Sequence, residues 1–163
     1  MASLAGLGEL AIEAPAEEAF DSELVKKAPH KGRIKSVNRN DALGITEWTL
    51  SNGIKVVFKP TEFKADEILM RAFSKGGLSQ VKTVDLPSAQ MATTIVSLSG
   101  IGRFNYTQLE KALTGKTVSV NPEISESTEQ MRASSSVKDF ETMLQLNYLY
   151  FTAPRRDEQA HET

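Results

Sequence analysis

Residues 85–120 read DLPSAQMATTIVSLSGIGRFNYTQLEKALTGKTVSV, and the periodicity of this stretch decides the fold class. Met91, Ala92, Ile95, Val96 and Leu98 recur at helical spacing, which predicts a helix with one apolar face. Gly100 and Gly102 form a G-x-G, but they follow a helix and not a strand. That is the wrong context for a dinucleotide fingerprint, so they read as a helix stop. Thr107 and Glu110 have capping-box spacing, which predicts the start of a second helix. Gly115 ends it, and Thr117, Val118, Ser119 and Val120 resume with the alternation of a strand.

Upstream, residues 47–50 and 54–58 flank Ser51-Asn52-Gly53 and predict a hairpin, with Asn-Gly supplying the positive backbone angles of the turn. Trp48 reads as a core or edge anchor of that hairpin. Residues 31–40 support a short edge strand at most. Residues 67–73 form a third strand with Ile68, Met70 and Ala72 on one face and Leu69, Arg71 and Phe73 on the other. Apolar residues on both faces predict a central strand. Downstream, Asn121-Pro122 interrupts the strand that begins at Thr117, and residues 126–135 pair with it. Ser136 and Asp139 have the spacing of a helix start. Phe140, Met143, Leu144, Asn147, Tyr148 and Phe151 line one side of the helix that follows, a side read as core and not as a binding groove.

Strands grouped before helices predict an α+β fold, two-layered, with helices on one face of a mostly antiparallel sheet. The expected organisation is an acidic leader over residues 1–31, carrying Glu9, Glu13, Glu17, Glu18, Asp21 and Glu23 and broken by Pro15, and a single domain over residues 32–163. The chain has 163 residues, a net charge of -2 and no cysteine. This length suits one domain. The charge lacks the basic stripe of a nucleic-acid partner. The absence of cysteine excludes disulfides and thiolate metal sites. No apolar run reaches the roughly 18 residues of a membrane span, and the first residues lack the pattern of a signal peptide.

Catalytic chemistry finds few candidates. Zinc needs three or four ligands from His, Cys, Asp or Glu. His30 and His161 are the only histidines, each alone in a charged segment. Ser97, Ser99 and the 134–136 serines lack the Gly-x-Ser-x-Gly elbow of a nucleophile. Glu126 with Glu129, and Asp139 with Glu141, read as solvated surface charge, since neither spacing places both carboxylates on one face. Arg155-Arg156 suits the negative end of the preceding helix. From the residues alone, no catalytic, cofactor-binding or metal-binding side chain is assigned.

The ordered set of residues 48–60 (WTLSNGIKVVFKP), the strand ending at Gly76-Gly77, the helix pair, and residues 134–157 (SSSVKDFETMLQLNYLYFTAPRRD) resembles the pitrilysin/insulinase family of zinc metallopeptidases. The nearest flavour is that of bacterial zinc proteases of the Bacteroides type, over roughly residues 32–160. The resemblance implies a metallopeptidase/LuxS-like α+β unit, incomplete at its C-terminal end. In the family, one half carries an inverted His-x-x-Glu-His motif on its first long helix, the other half usually lacks the metal, and the two close around a peptide. Laid on this chain, the motif helix spans residues 88–98, and the ligand positions fall near Ala89, Ala92 and Thr93. The resemblance therefore implies a non-catalytic second-half unit, inactive alone, with zinc in the other half of a longer polypeptide. Residues 1–29 resemble the linker between halves. Implied partners are the catalytic half, a peptide substrate in the closed chamber and, through an unpaired sheet edge, a second copy of the fragment. A periplasmic or envelope location follows from the Bacteroides flavour. A scaffold of the same fold with no proteolytic parent is the alternative, since fold alone does not fix function.

Overall fold

In the computed structural model, which describes residues 21–157, six strands and three helices follow in the order β1 (Ile34–Asn40), β2 (Ile45–Leu50), β3 (Lys55–Phe58), β4 (Ile68–Lys75), α1 (Leu86–Ser99), α2 (Tyr106–Ala112), β5 (Val118–Ile124), β6 (Thr128–Ser135) and α3 (Phe140–Thr152). Residues 1–20 of the leader, and His161, lie outside the described residues.

The α+β class holds, and the strands divide into two antiparallel sheets of three, ordered β1-β2-β3 and β4-β6-β5. The second sheet carries the core. Its inner face is built of cross-strand rows, Met70–Ala133–Val120 and Ala72–Met131–Pro122. Met131, Ala133 and Val120 are buried there, beneath α1 and α3. The helices and their connections add Ile101, Phe104, Leu109, Met143, Leu146 and Leu149. Leu24 of the leader joins the same cluster at 9% exposure. The outer face is largely polar. Ser119 and Ser134 share a hydrogen bond at 2.9 Å, Arg132 pairs with Glu123 at 2.9 Å, and Arg71 donates to Gln130 Oε1 at 2.6 Å.

The first sheet places no residue in this core. Trp48 is half-buried and packs against Phe58 with ring centroids 4.4 Å apart and planes tilted by 60°, which anchors β2 to β3. The hairpin turn differs from the expected one: Gly53 alone has a positive φ, of 87°, while Asn52 does not. The loop is three residues long, closed by Gly53 N–H donating to Leu50 O at 2.9 Å. That is the arrangement in which only the last loop residue must be left-handed.

Several boundaries moved. The third strand is an edge, with β6 central, and Leu69 and Phe73 on its outer face stay 73% and 72% exposed. Asn121-Pro122 lies within β5 and does not interrupt it. An edge strand tolerates a proline whose missing N–H faces away from the ladder. The second helix starts earlier, from Asn105. Its side chain accepts from the Gln108 amide at 2.9 Å while Gln108 returns a bond to the Asn105 amide at 3.0 Å. Asparagine caps as well as threonine does. On α1, Ala92, Ile95 and Val96 are half-buried, but Met91 and Leu98 are exposed. On α3 the buried side is Thr142, Met143, Leu146 and Leu149. Of the stripe read as core, Met143 is fully buried, while Leu144 and Phe151 are turned outward at 43% and 70% exposure.

Candidate functional site

The resemblance lays its motif helix on α1. Pro87 sits in its first turn, where a missing N–H costs nothing, and Gly100 ends it at φ 80°. Ala89, Ala92 and Thr93 are half-buried on this helix. They offer methyl groups and one hydroxyl, a donor set that does not fit zinc. Among the described residues, no three His, Cys, Asp or Glu side chains converge on one point. His30 is exposed.

A cleft of about 290 Å³ opens beside this helix, between Ser88, Ala92, Ile95 and Val96 and the segment that carries Arg155, Arg156 and Asp157. Arg155 pairs with Asp157 at 3.3 Å. The Asp157 amide donates to Ser99 Oγ at 3.2 Å, and that hydroxyl donates to Ile95 O at 2.7 Å. Ser99 is fully buried. With both roles of its hydroxyl taken, it ties the end of α1 to the segment after α3 and is no free nucleophile. Nearby, burial pushes the Tyr150 phenol up, partly opposed by its hydrogen bond with Ser97. Such a phenol stays protonated at neutral pH and serves as a hydrogen-bonding group.

The turn that joins α1 to α2 is the structural hub. Ile101 and Phe104 exchange paired backbone hydrogen bonds at 2.9 Å and are 0% and 3% exposed. Gly102 N–H donates to Ala153 O at 2.9 Å, bringing the end of α3 to the same turn. A side chain at Gly100 would collide with the backbone of Phe104 and Asn105, so the G-x-G is a helix stop and also a close-approach site.

Asp139 was read as solvated charge, and the structure buries it at 5% exposure. Its carboxylate accepts from the Thr117 amide at 2.8 Å and from Ser136 Oγ at 2.8 Å. The Thr117 amide first, then the Ser136 hydroxyl, hold its carboxyl below the ordinary carboxylate value. The residue pins the start of β5 to the start of α3, a clamp and not an acid–base group. Its signal in the sequence was the Ser136-x-x-Asp139 spacing. Arg103 gave no such signal: only the fold places it against the leader. Glu126 and Glu129 lie at the β5–β6 turn, and Glu129 accepts from Ser74 Oγ at 3.0 Å.

No family model matches the chain. Over 90 residues, 55% of the chain, it is 40% identical to an Arabidopsis thaliana protein named zinc protease PQQL-like. Over 130 residues, 77% of the chain, it is 22% identical to the probable zinc protease PqqL of Haemophilus influenzae. It spans only 9% and 14% of the lengths of these two relatives. Among solved structures, the periplasmic protease PqqL from Escherichia coli superposes with a TM-score of 0.80 at 20% identity, over 93% of this chain and 16% of that one. The ferredoxin protease FusC, solved in complex with Arabidopsis ferredoxin, superposes with a TM-score of 0.73 at 21% identity, over 91% of this chain and 17% of that one. At these identities the superpositions establish the fold, and the 40% identical stretch links the sequence itself to the named zinc proteases.

Proposed function

From the premise that this chain is related to the insulinase-like, pitrilysin-type zinc proteases and corresponds to part of one, we propose that it is a non-catalytic unit of a longer zinc protease. The unit walls the chamber that receives a peptide substrate and packs against the half that carries zinc. No catalytic residue and no metal ligand comes from this chain. Residues 1–31 act as the approach from the other half, and residues 32–163 as one unit of the second half. Where the chain is isolated, its free strand edges favour self-association. An envelope compartment for the longer protein rests on the periplasmic E. coli neighbour alone.

The observation that carries this reading is the 40% identity to a zinc protease, combined with a helix α1 that has Ala89, Ala92 and Thr93 among its half-buried positions. A segment related to a metalloprotease but built with methyl groups on that helix supports packing in preference to metal chemistry. Zinc, in the longer protein, supplies Lewis-acid activation of water. What these residues contribute is a close-packed wall, since small side chains allow a helix to approach its sheet.

The test is co-purification of this chain with the zinc-bearing half of the longer protein, followed by peptide hydrolysis with and without it. The expected result is a stable complex whose activity falls when this chain is omitted, with zinc found only in the other half. An intact peptidase that ignores the chain, or stoichiometric zinc in the chain alone, overturns the proposal.

A further inference from the structure

The segment 21–29 has no regular secondary structure, yet it is held on the folded unit by a small set of contacts. Leu24 is its single buried side chain, at 9% exposure, with Val25 half-buried beside it. The other hold is Arg103. Its Nη2 donates to Asp21 O at 2.8 Å and to Glu23 O at 2.6 Å, and lies 3.0 Å from Asp21 Oδ2. Asp21 also accepts from the Glu23 amide at 3.0 Å and pairs with Lys26 at 3.2 Å. The Glu23 amide first, then Lys26 and Arg103, keep its carboxyl below the ordinary value.

Arg103 is well placed to hold a strap. It sits on a turn closed by paired backbone bonds, between fully buried Ile101 and nearly buried Phe104, and its guanidinium lies 4.7 Å over the Phe104 ring. Two main-chain carbonyls and the Asp21 carboxylate are held by one charged donor, so the strap is gripped through its backbone and one acidic side chain. Charge-assisted bonds of this kind are about twice as strong as neutral ones. The two holds differ in character. The Leu24 anchor is apolar and indifferent to salt. The Arg103 grip joins side chains that are 38% and 46% exposed, so salt screens it.

The strap also forms one wall of a cleft of about 450 Å³, through Glu23, Val25 and Lys26, while α3 forms the other through Leu144, Gln145 and Tyr148. We propose that residues 21–29 are a latched strap: Arg103 holds it closed beside the outward apolar stripe of α3, and releasing Arg103 swings it away and opens the cleft in front of the already part-exposed Leu144 and Tyr148. Segments with few buried contacts and no ladder of their own open well below the cost of global unfolding. The device stands on these contacts alone and holds whether or not the chain serves a protease.

Limited digestion of the full chain by a lysine-specific protease reads the strap directly. Cleavage after Lys26 and Lys27 reports opening, and cleavage after Lys64, in the exposed loop between β3 and β4, is the internal reference. The expected result for Arg103→Gln is a rise of about tenfold or more in strap cleavage relative to the reference, at a nearly unchanged melting temperature. On the unaltered chain, about 1 M salt gives a rise in the same direction. Should Arg103→Gln fail to fold, Asp21→Asn and the salt series carry the same test. A cleavage ratio that is unmoved by both the substitution and salt overturns the latch.

Discussion

Met143 and Phe151 lie on the same helix, α3, and periodicity alone assigns both to one apolar side. The structure separates them: Met143 has no exposed surface, whereas Phe151 is 70% exposed. Truncating Met143 to alanine removes three heavy atoms from a site with no access to solvent. Its core neighbours include Ile101 and Phe104, which paired backbone bonds hold in place, so the surroundings have little freedom to collapse. Large-to-small changes at such sites cost about 2–5 kcal/mol, and a poorly collapsing site falls at about 3 kcal/mol or above. For a domain of this size, each kcal/mol shifts the melting temperature by roughly 3 °C, giving a drop of about 10 °C. Phe151→Ala deletes a larger side chain, yet the expected cost is within about 0.5 kcal/mol, because most of its surface stays in water. Thermal and urea unfolding of the full chain, followed by far-ultraviolet circular dichroism, measures both. Equal losses for the two variants, or a larger one for Phe151→Ala, refute the orientation of α3 and with it the core described above.

Asp139→Asn weakens the fold at neutral pH by removing the anion that accepts from Thr117 and Ser136. A carboxyl whose folded value is depressed stabilises fully above the ordinary carboxylate range and loses that contribution as pH falls through the depressed value. The variant therefore loses less than the parent on acidification below the ordinary value of 3.8; urea midpoints that run parallel from pH 7 to pH 3 contradict the clamp. Trp48 is the only tryptophan and sits in the sheet that lacks the core, so its fluorescence transition comes at a lower urea concentration than the helical dichroism signal. Coincident transitions show instead that the two sheets unfold as one body.

The elements themselves were legible because most have a single dominant period. The 126–135 strand, the helix pair and the hairpin around Asn52-Gly53 each carry that signal locally. Pairing order was not legible, because it depends on contacts between residues far apart in the chain. Leu69 and Phe73 gave β4 apolar residues on both faces, the mark of a central strand, but β6 takes the centre through its register with both neighbours. The orientation of α3 was hidden for a related reason: apolar residues lie around most of its circumference, so several faces satisfy the same period. Asn105 capped the second helix two positions ahead of Thr107, a choice that costs the backbone almost nothing either way. At the candidate site, the side-chain types of Ala89, Ala92 and Thr93 were readable directly. Arg103 was not, and Asp139 was legible only as part of a helix start, since a charged residue becomes a clamp only when its backbone partners are brought to it from elsewhere, here from Asp21, Glu23 and Thr117.

The surface bears on the proposed role as much as the core does. Ile34, Val37, Ile54 and Val57 lie open on the first sheet, Leu69 and Phe73 on the edge strand of the second, and Phe151 on α3. A single exposed apolar residue needs no explanation, but a fold that leaves a coreless sheet, a strand edge and a helix stripe uncovered together is built to lie against other protein. The lengths point the same way, since the chain corresponds to only 9% and 14% of the two relatives and to 16% and 17% of the two solved neighbours. On the outer sheet face Arg132 pairs with the Glu123 carboxylate, whereas Arg71 bonds the neutral side chain of Gln130. A wall that other polypeptide rests on needs apolar area and satisfied charges, and needs no ligand set of its own. The exposed faces of this unit offer that apolar area, and in the proposed reading α1, with Ala89, Ala92 and Thr93, adds packing surface.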